Sequence, residues 1–173
     1  MKSTVVNKEV RAALTRNNQS QKELARKTNR AVTTISGYLN TESTPPDAML
    51  DIAEAMNDSV LSQDFSYMLL GQFPSMESDV LEENVHTYGI IQDYEESERE
   101  RYEEAARMAL IKKKDHLDKD DKDALWNYAM NYLDEIFVEM RHAISILNLL
   151  DMSLMQAIKK RRPLWVSKRY LKN

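Results

Sequence analysis

A seven-residue apolar repeat constrains this chain more than any other feature. One set of positions runs Trp126, Leu133, Met140, Leu147, Leu154, and a second runs Ala129, Ile136, Ala143, Leu150, Ala157. Apolar residues three and four apart gather on one face of an α-helix but scatter over both faces of a strand, so the segment reads as helix. Its flanks Leu125, Tyr132, Phe137, Ile144, Ile146 and Ile158 are apolar too, a stripe wider than a two-stranded coiled coil covers. The pattern predicts a bundle built with the preceding helix and with a second subunit. It marks Trp126, Leu133, Ile136, Met140, Leu147, Leu150 and Leu154 for dimerisation. Asp151-Met152-Ser153 is where the long helix can break in two.

The remainder of the chain points to the same class. Only three glycines and four prolines punctuate 173 residues, and no run of alternating β-branched residues bounded by turn signals predicts a strand. The expected fold is all-α. With no cysteine, disulfides, thiol nucleophiles and thiolate metal sites are excluded. No window of eighteen uninterrupted apolar residues suggests a membrane span. The N-terminal residues lack the apolar run of a signal peptide, so the expected location is the cytoplasm.

The net charge of −4 argues against a nucleic-acid partner until its distribution is considered. Residues 1–40 carry eight basic and two acidic side chains, residues 73–110 three basic and eleven acidic, and residues 151–173 seven basic and one acidic. Phosphate binding depends on local charge, because each cation near a phosphate releases a counterion. A basic head, an acidic middle and a basic tail suit a DNA-binding module attached to a part that stays off DNA.

In the head, Val6, Val10, Ala13 and Leu14 share one face of a predicted helix over residues 4–17, which Asn17-Asn18-Gln19 ends. Ser20-Gln21-Lys22-Glu23 is a capping box that opens a second helix burying Leu24 and Ala25. Asn29 supplies the left-handed turn that two closely joined helices need. A third helix, residues 31–39, buries Ile35 with Tyr38 or Leu39. Residues 41–45 form a loop. Pro46 suits the first turn of a fourth helix with Met49, Leu50, Ile52, Ala53 and Met56, and residues 60–70 form a fifth around Leu61, Phe65 and Leu69.

The run Gln21-Lys-Glu-Leu24-Ala25-Arg-Lys-Thr-Asn29-Arg-Ala-Val-Thr-Thr-Ile35-Ser36-Gly-Tyr-Leu-Asn40, followed by Leu50-Asp-Ile52-Ala53-Glu-Ala55-Met56, resembles the helix-turn-helix of the Cro/phage-repressor (Xre) family. Asn29 stands where that pattern usually has Gly, Arg30 where it has an apolar residue, and Thr41 where Gly often ends the motif. The resemblance implies a five-helix, lambda-repressor-like head whose third helix enters the major groove. It implies that Val32, Thr33, Ser36, Gly37 and Asn40 face base edges, where Asn pairs with adenine, Ser and Thr hydrogen-bond either way, and Val meets a thymine methyl. Gln21, Lys22, Arg30, Arg16 and Arg26 are then the phosphate contacts, which position the protein without reading sequence.

The expected organisation is a helix-turn-helix domain over 1–72, a linker over 73–90, and a helical dimerisation or effector domain over 91–173. Within the last, a helix from Ile90 or Ile91 to about Lys114 begins with interleaved Glu and Arg, the pattern of i to i+4 ion pairs and not of a site. Residues 112–123 are a polar loop, and Asp120 or Asp121 starts the long helix. The tail from Lys159 to Tyr170 mixes basic and aromatic residues. It can grip phosphates, dock on the acidic segment 93–104, or meet a partner.

His86, His116 and His142 lack ligand spacing and no glycine-rich loop suits a nucleotide, so neither cofactor nor metal nor enzymatic activity is expected. The reading is a transcription regulator, a repressor of phage or mobile-element type, that binds double-stranded DNA as a homodimer. Two others stay open. One is a helix-turn-helix that binds a protein, as an antirepressor or anti-defence factor does. The other is a regulator whose C-terminal bundle senses a peptide or small ligand through Met130, Met140, Met152 and Met155.

Overall fold

Side-chain caps at Ser20, Asp58, Asn84, Asp118 and Ser153 fix where five of the helices begin. The computed structural model describes residues 3–40 and 42–172. Its helices are α1 (Asn7–Arg16), α2 (Gln21–Lys27), α3 (Val32–Asn40), α4 (Pro46–Met56), α5 (Ser59–Leu70), α6 (Val85–Leu110), α7 (Lys119–Asn148) and α8 (Leu154–Ser167), with a short 3₁₀ turn at Lys114–His116. The fold is all-α, and no strand occurs among the described residues. The chain divides into two compact units, residues 1–75 with 151–173, and residues 76–150.

Five helices of the first unit close around Val6, Val10, Leu24, Ala25, Ile35, Leu39, Met49, Ile52, Leu61 and Phe65, all buried. α1 starts three residues later than its apolar spacing suggests. Thr4 pairs with Thr44 in an isolated antiparallel bridge, its N–H donating to the Thr44 carbonyl at 3.0 Å and its carbonyl accepting at 2.7 Å, and a residue held extended cannot begin a helix. Of the apolar residues of α4, Leu50 is 64% exposed. The expected loop over 41–45 includes Thr41, which lies outside the described residues.

Asp58 is the knot of this unit. Its side chain caps α5 by accepting from the Leu61 N–H at 2.8 Å, and it also accepts from Arg16 (3.0 and 3.1 Å) and the Asn17 amide (2.8 Å) at the end of α1. Burial pushes its carboxyl up, but the Arg16 guanidinium and the Leu61 N–H together outweigh that and hold it below the usual carboxylate range. α8 joins the same unit: Ser153 caps it, donates to the Asn57 side-chain oxygen at 2.7 Å, and the Leu154 N–H donates to Ser59 Oγ at 2.8 Å.

The second unit is a helical hairpin in which α6 packs along α7. α6 begins at Val85, inside the expected linker, because Asn84 caps it by accepting from the Thr87 N–H at 2.9 Å. α7 begins at Lys119 on a capping box between Asp118 and Asp121. Its partners on α6 and just beyond its two ends run in opposite order, as antiparallel helices require. Lys112 meets Asp121 at 2.7 Å, Arg99 pairs with Glu135, Gln92 Oε1 lies 2.7 Å from His142 Nδ1, and Arg141 reaches the Tyr88 hydroxyl at 3.1 Å and Glu83 at 3.2 Å. The Glu–Arg run of α6 forms the pairs its spacing predicts, Arg99–Glu103 and Arg107–Glu103.

Two expectations need correction here. The seven-residue repeat does not run through one helix. α7 stops at Asn148, Asp151 turns left-handed at φ 51°, and Leu154 and Ala157 belong to α8 in the first unit, so Leu154 is no part of a continuous dimerisation seam. Nor does α6 cover that seam. The α7 residues buried are Glu135, Val138, Arg141 and Ile144; at 100° per residue, Val138 lies opposite the stripe that runs from Trp126 to Leu150.

Asp58→Ala is expected to lower the stability of the first unit by about 3 kcal/mol, since it leaves Arg16 half-paired and α5 uncapped; urea denaturation followed by circular dichroism measures this. Because the folded pKa of Asp58 lies below the unfolded one, its contribution is full above the ordinary carboxylate value near 4 and lost as pH falls through the folded value. Asp58→Asn therefore flattens the acid limb of the stability curve. In the second unit Glu135→Ala should cost about 3 kcal/mol by stranding buried Arg99, and Arg99→Met added to it should restore most of the loss.

Candidate nucleic-acid interface

The candidate interface is the surface that α2 and α3 present together, and its shape follows from one residue. α2 opens on its capping box, where Ser20 Oγ accepts from the Glu23 N–H at 3.2 Å and the Glu23 carboxylate accepts from the Ser20 N–H at 2.7 Å. That backbone hydrogen bond from Ser20 keeps the Glu23 carboxyl below its usual range. α2 closes with Asn29 at φ 52°. The Arg30 N–H reaches back to the Ala25 carbonyl at 2.9 Å and the Asn29 N–H to Arg26 at 3.3 Å, the left-handed closure that satisfies the last carbonyls of a helix. Thr28 adds a buried hydroxyl bond to the Leu24 carbonyl at 2.8 Å. The chain thus turns within four residues, and α3 starts across α2.

Behind this turn Ile35 and Leu24 are fully buried and Ala25 nearly so. With its inner face fixed by Ile35, Tyr38 and Leu39, α3 presents the opposite stripe. Val32, Thr33 and Asn40 are exposed, and Ser36 and Gly37 are half-buried. The five residues expected to face bases therefore lie on one side of one helix.

α1 clamps the far end of α3. Arg11 donates to the Leu39 carbonyl at 2.8 Å and to Asn40 Oδ1 at 3.2 Å, and the Asn7 amide donates to the Asn40 carbonyl at 2.6 Å. A cation at a helix C-terminus is favourable because the last carbonyls have no helical partners. These contacts orient the Asn40 amide. Sequence reasoning missed Arg11, whose charge gave no hint that it would cap a helix 28 residues away.

The expected phosphate contacts divide. Lys22 and Arg26 are exposed on α2. Gln21 is half-buried, its amide donating to the Val32 carbonyl at 3.0 Å, so it braces α2 against the start of α3. Arg30 is a correction. Two acids of α4 hold it, Asp47 at 3.1 Å and Asp51 at 2.5 Å, and Asp51 chiefly raises its already high pKa. Arg16 is another, being engaged with Asp58. Both arginines tie helices together, which their sequence neighbours could not reveal because the partner acids lie 17 to 42 residues on. Gly37 has a local reason: a Cβ there would collide with the Glu42 carboxylate. That carboxylate lies against the presented stripe, at the end of a flexible side chain.

No metal constellation accompanies the surface, since no group of three His, Asp or Glu among the described residues could hold an ion. Compared with family models, curated proteins and solved structures, the chain matches none.

Asn29→Ala is expected to cost about 1 to 2 kcal/mol, because a β-carbon without a local polar bond is strained in the left-handed region. Asn29→Gly should leave stability unchanged or raise it. Equal losses for the two in urea denaturation would show that the side chain, and not the backbone conformation, matters at this turn.

Proposed function

We propose that this chain is a sequence-specific DNA-binding transcription regulator, a repressor of phage or mobile-element type that acts as a homodimer. The observation that carries the reading is the pair α2 and α3: a tight left-handed turn, an aliphatic plug at Ile35, and a stripe of short polar and small residues on the side that faces away. Short side chains are what a helix needs in order to approach base edges closely. Lys22 and Arg26 flank the stripe with exposed positive charge, which is the part a phosphate backbone recognises. The resemblance to the Cro/phage-repressor type of helix-turn-helix supports the same assignment.

In this reading the labour is divided. Val32, Thr33, Ser36 and Asn40 read bases, and Lys22 and Arg26 grip the backbone. Arg30 and Arg16 hold the frame. One such head reads only a few base pairs, so two heads on paired half-sites give useful affinity.

Glu42 favours a second reading. A carboxylate on the presented stripe repels phosphate and suits a cationic protein surface, which fits an antirepressor or anti-defence role. Selection of bound duplexes from a random pool separates the two.

On a selected site, Thr33→Ala and Asn40→Ala should change the preferred bases at a cost of about 1 to 3 kcal/mol each. Lys22→Ala should weaken all sequences alike and reduce the slope of log K against log salt by about one. Arg30→Ala should act on thermal stability more than on that slope. If the pool yields no enriched sequence and Lys22→Ala leaves residual binding unaltered, the DNA reading fails.

A further inference from the structure

We infer that the face of α7 turned away from α6 is the homodimer interface, and that two copies join there antiparallel about a two-fold axis at the level of Val138. The inference rests only on the dimer half of the proposed function, and it is tested without DNA.

α7 buries charged residues while leaving much of its apolar stripe exposed. Toward α6 it buries Glu135 and Arg141 beside Val138 and Ile144, with the polar pairs Arg99–Glu135 and Gln92–His142 among them. Its apolar stripe is left open: Trp126 is 64% exposed, Leu133 42% and Leu150 64%, with Ala129 and Ala143 also exposed and Ile136, Met140 and Leu147 half-buried. With Tyr132 and Ile146 at its rim, the stripe runs through ten apolar side chains between Trp126 and Leu150. A contiguous patch of that size marks an interaction site.

The pattern identifies the occupant as a second copy. Reversal about Val138 maps the stripe onto itself, Ala129 onto Leu147, Leu133 onto Ala143 and Ile136 onto Met140, and sets Trp126 against Leu150 in the turn just after α7. Such self-complementarity is what a two-fold interface requires, since residue i meets j and j meets i. It also matches volumes. In the antiparallel pair Leu147 fills the space over Ala129, and Leu133 the space over Ala143. A parallel pair sets Trp126 on Trp126 and Ala143 on Ala143, crowding one layer and emptying another, and both faults are destabilising. Glu139, exposed at the rim, keeps its carboxylate in water.

The test uses the full chain. By sedimentation it should be a dimer at micromolar concentration. Leu133→Glu and, separately, Ala143→Glu should raise the dimer dissociation constant by about 100-fold or more with helical content unchanged, both sites being exposed in the monomer. Orientation is read by disulfide formation, which is unambiguous because the chain holds no cysteine. A mixture of Ala129→Cys and Leu147→Cys chains should oxidise to the mixed dimer, while Ala129→Cys alone should not cross-link. A monomeric wild type, a dimer indifferent to both glutamates, or efficient self-cross-linking of Ala129→Cys would overturn the inference. A dimer that binds no DNA would instead sink the regulator reading and leave this interface standing.

Discussion

The Arg99–Glu135 ion pair sets the character of the second unit. Both side chains are largely buried, Arg99 lies over the rings of Tyr128 and Tyr132 at 6.0 and 5.6 Å, and its guanidinium is held charged first of all by the hydrogen bond to Glu135. A buried pair of this kind contributes little net stability, because desolvation offsets much of the attraction, yet breaking it strands a charge. Its effect is therefore one of selection. It admits only the register in which α6 meets the polar side of α7, and Arg141 with Glu83 and Tyr88 repeats the condition farther along. The hairpin buries these charges beside Val138, Ile144, Ala106 and Ala109, and leaves the stripe through Trp126 and Leu133 turned outward.

The first unit uses charge in a different way. Asp58, Asp47 and Asp51 each take a guanidinium from another helix, so two of the arginines that make the head basic are tie-bars between helices. The positive charge left on the α2 side is that of Lys22, Arg26 and Lys27, all exposed. The residues that hold α1, α4 and α5 together are thus not the ones exposed on α2. Asn29 completes the frame at the level of the backbone, where a single left-handed residue sets the start of α3.

Much of this was legible from residue order. The capping box of Ser20 and Glu23, the turn at Asn29, the plug at Ile35 and the break near Asp151 are local signals, each resting on interactions within a few positions, and the structure carries all four. The helix starts at Asn7, Val85 and Lys119 were less legible. They depend on a bridge to Thr44, on the cap at Asn84 with Tyr88 packed under Arg141, and on Asp118 outcompeting its acidic neighbours for the capping position. That Arg16 and Arg30 are held by acids was not legible, because a lone arginine looks the same whether its acid is distant or nearby.

The sequence alone determined that the chain is helical, where its turns fall, which residues of α3 share a side, and that a long apolar stripe runs down α7, because periodicity and capping are properties of short stretches. Only the tertiary structure decided which side of α7 meets α6, which arginines are taken up by acids, and that residues 151–173 belong with the head. Those outcomes depend on pairings between groups tens of residues apart, where the balance of desolvation against partner geometry is settled in space and leaves no mark on spacing.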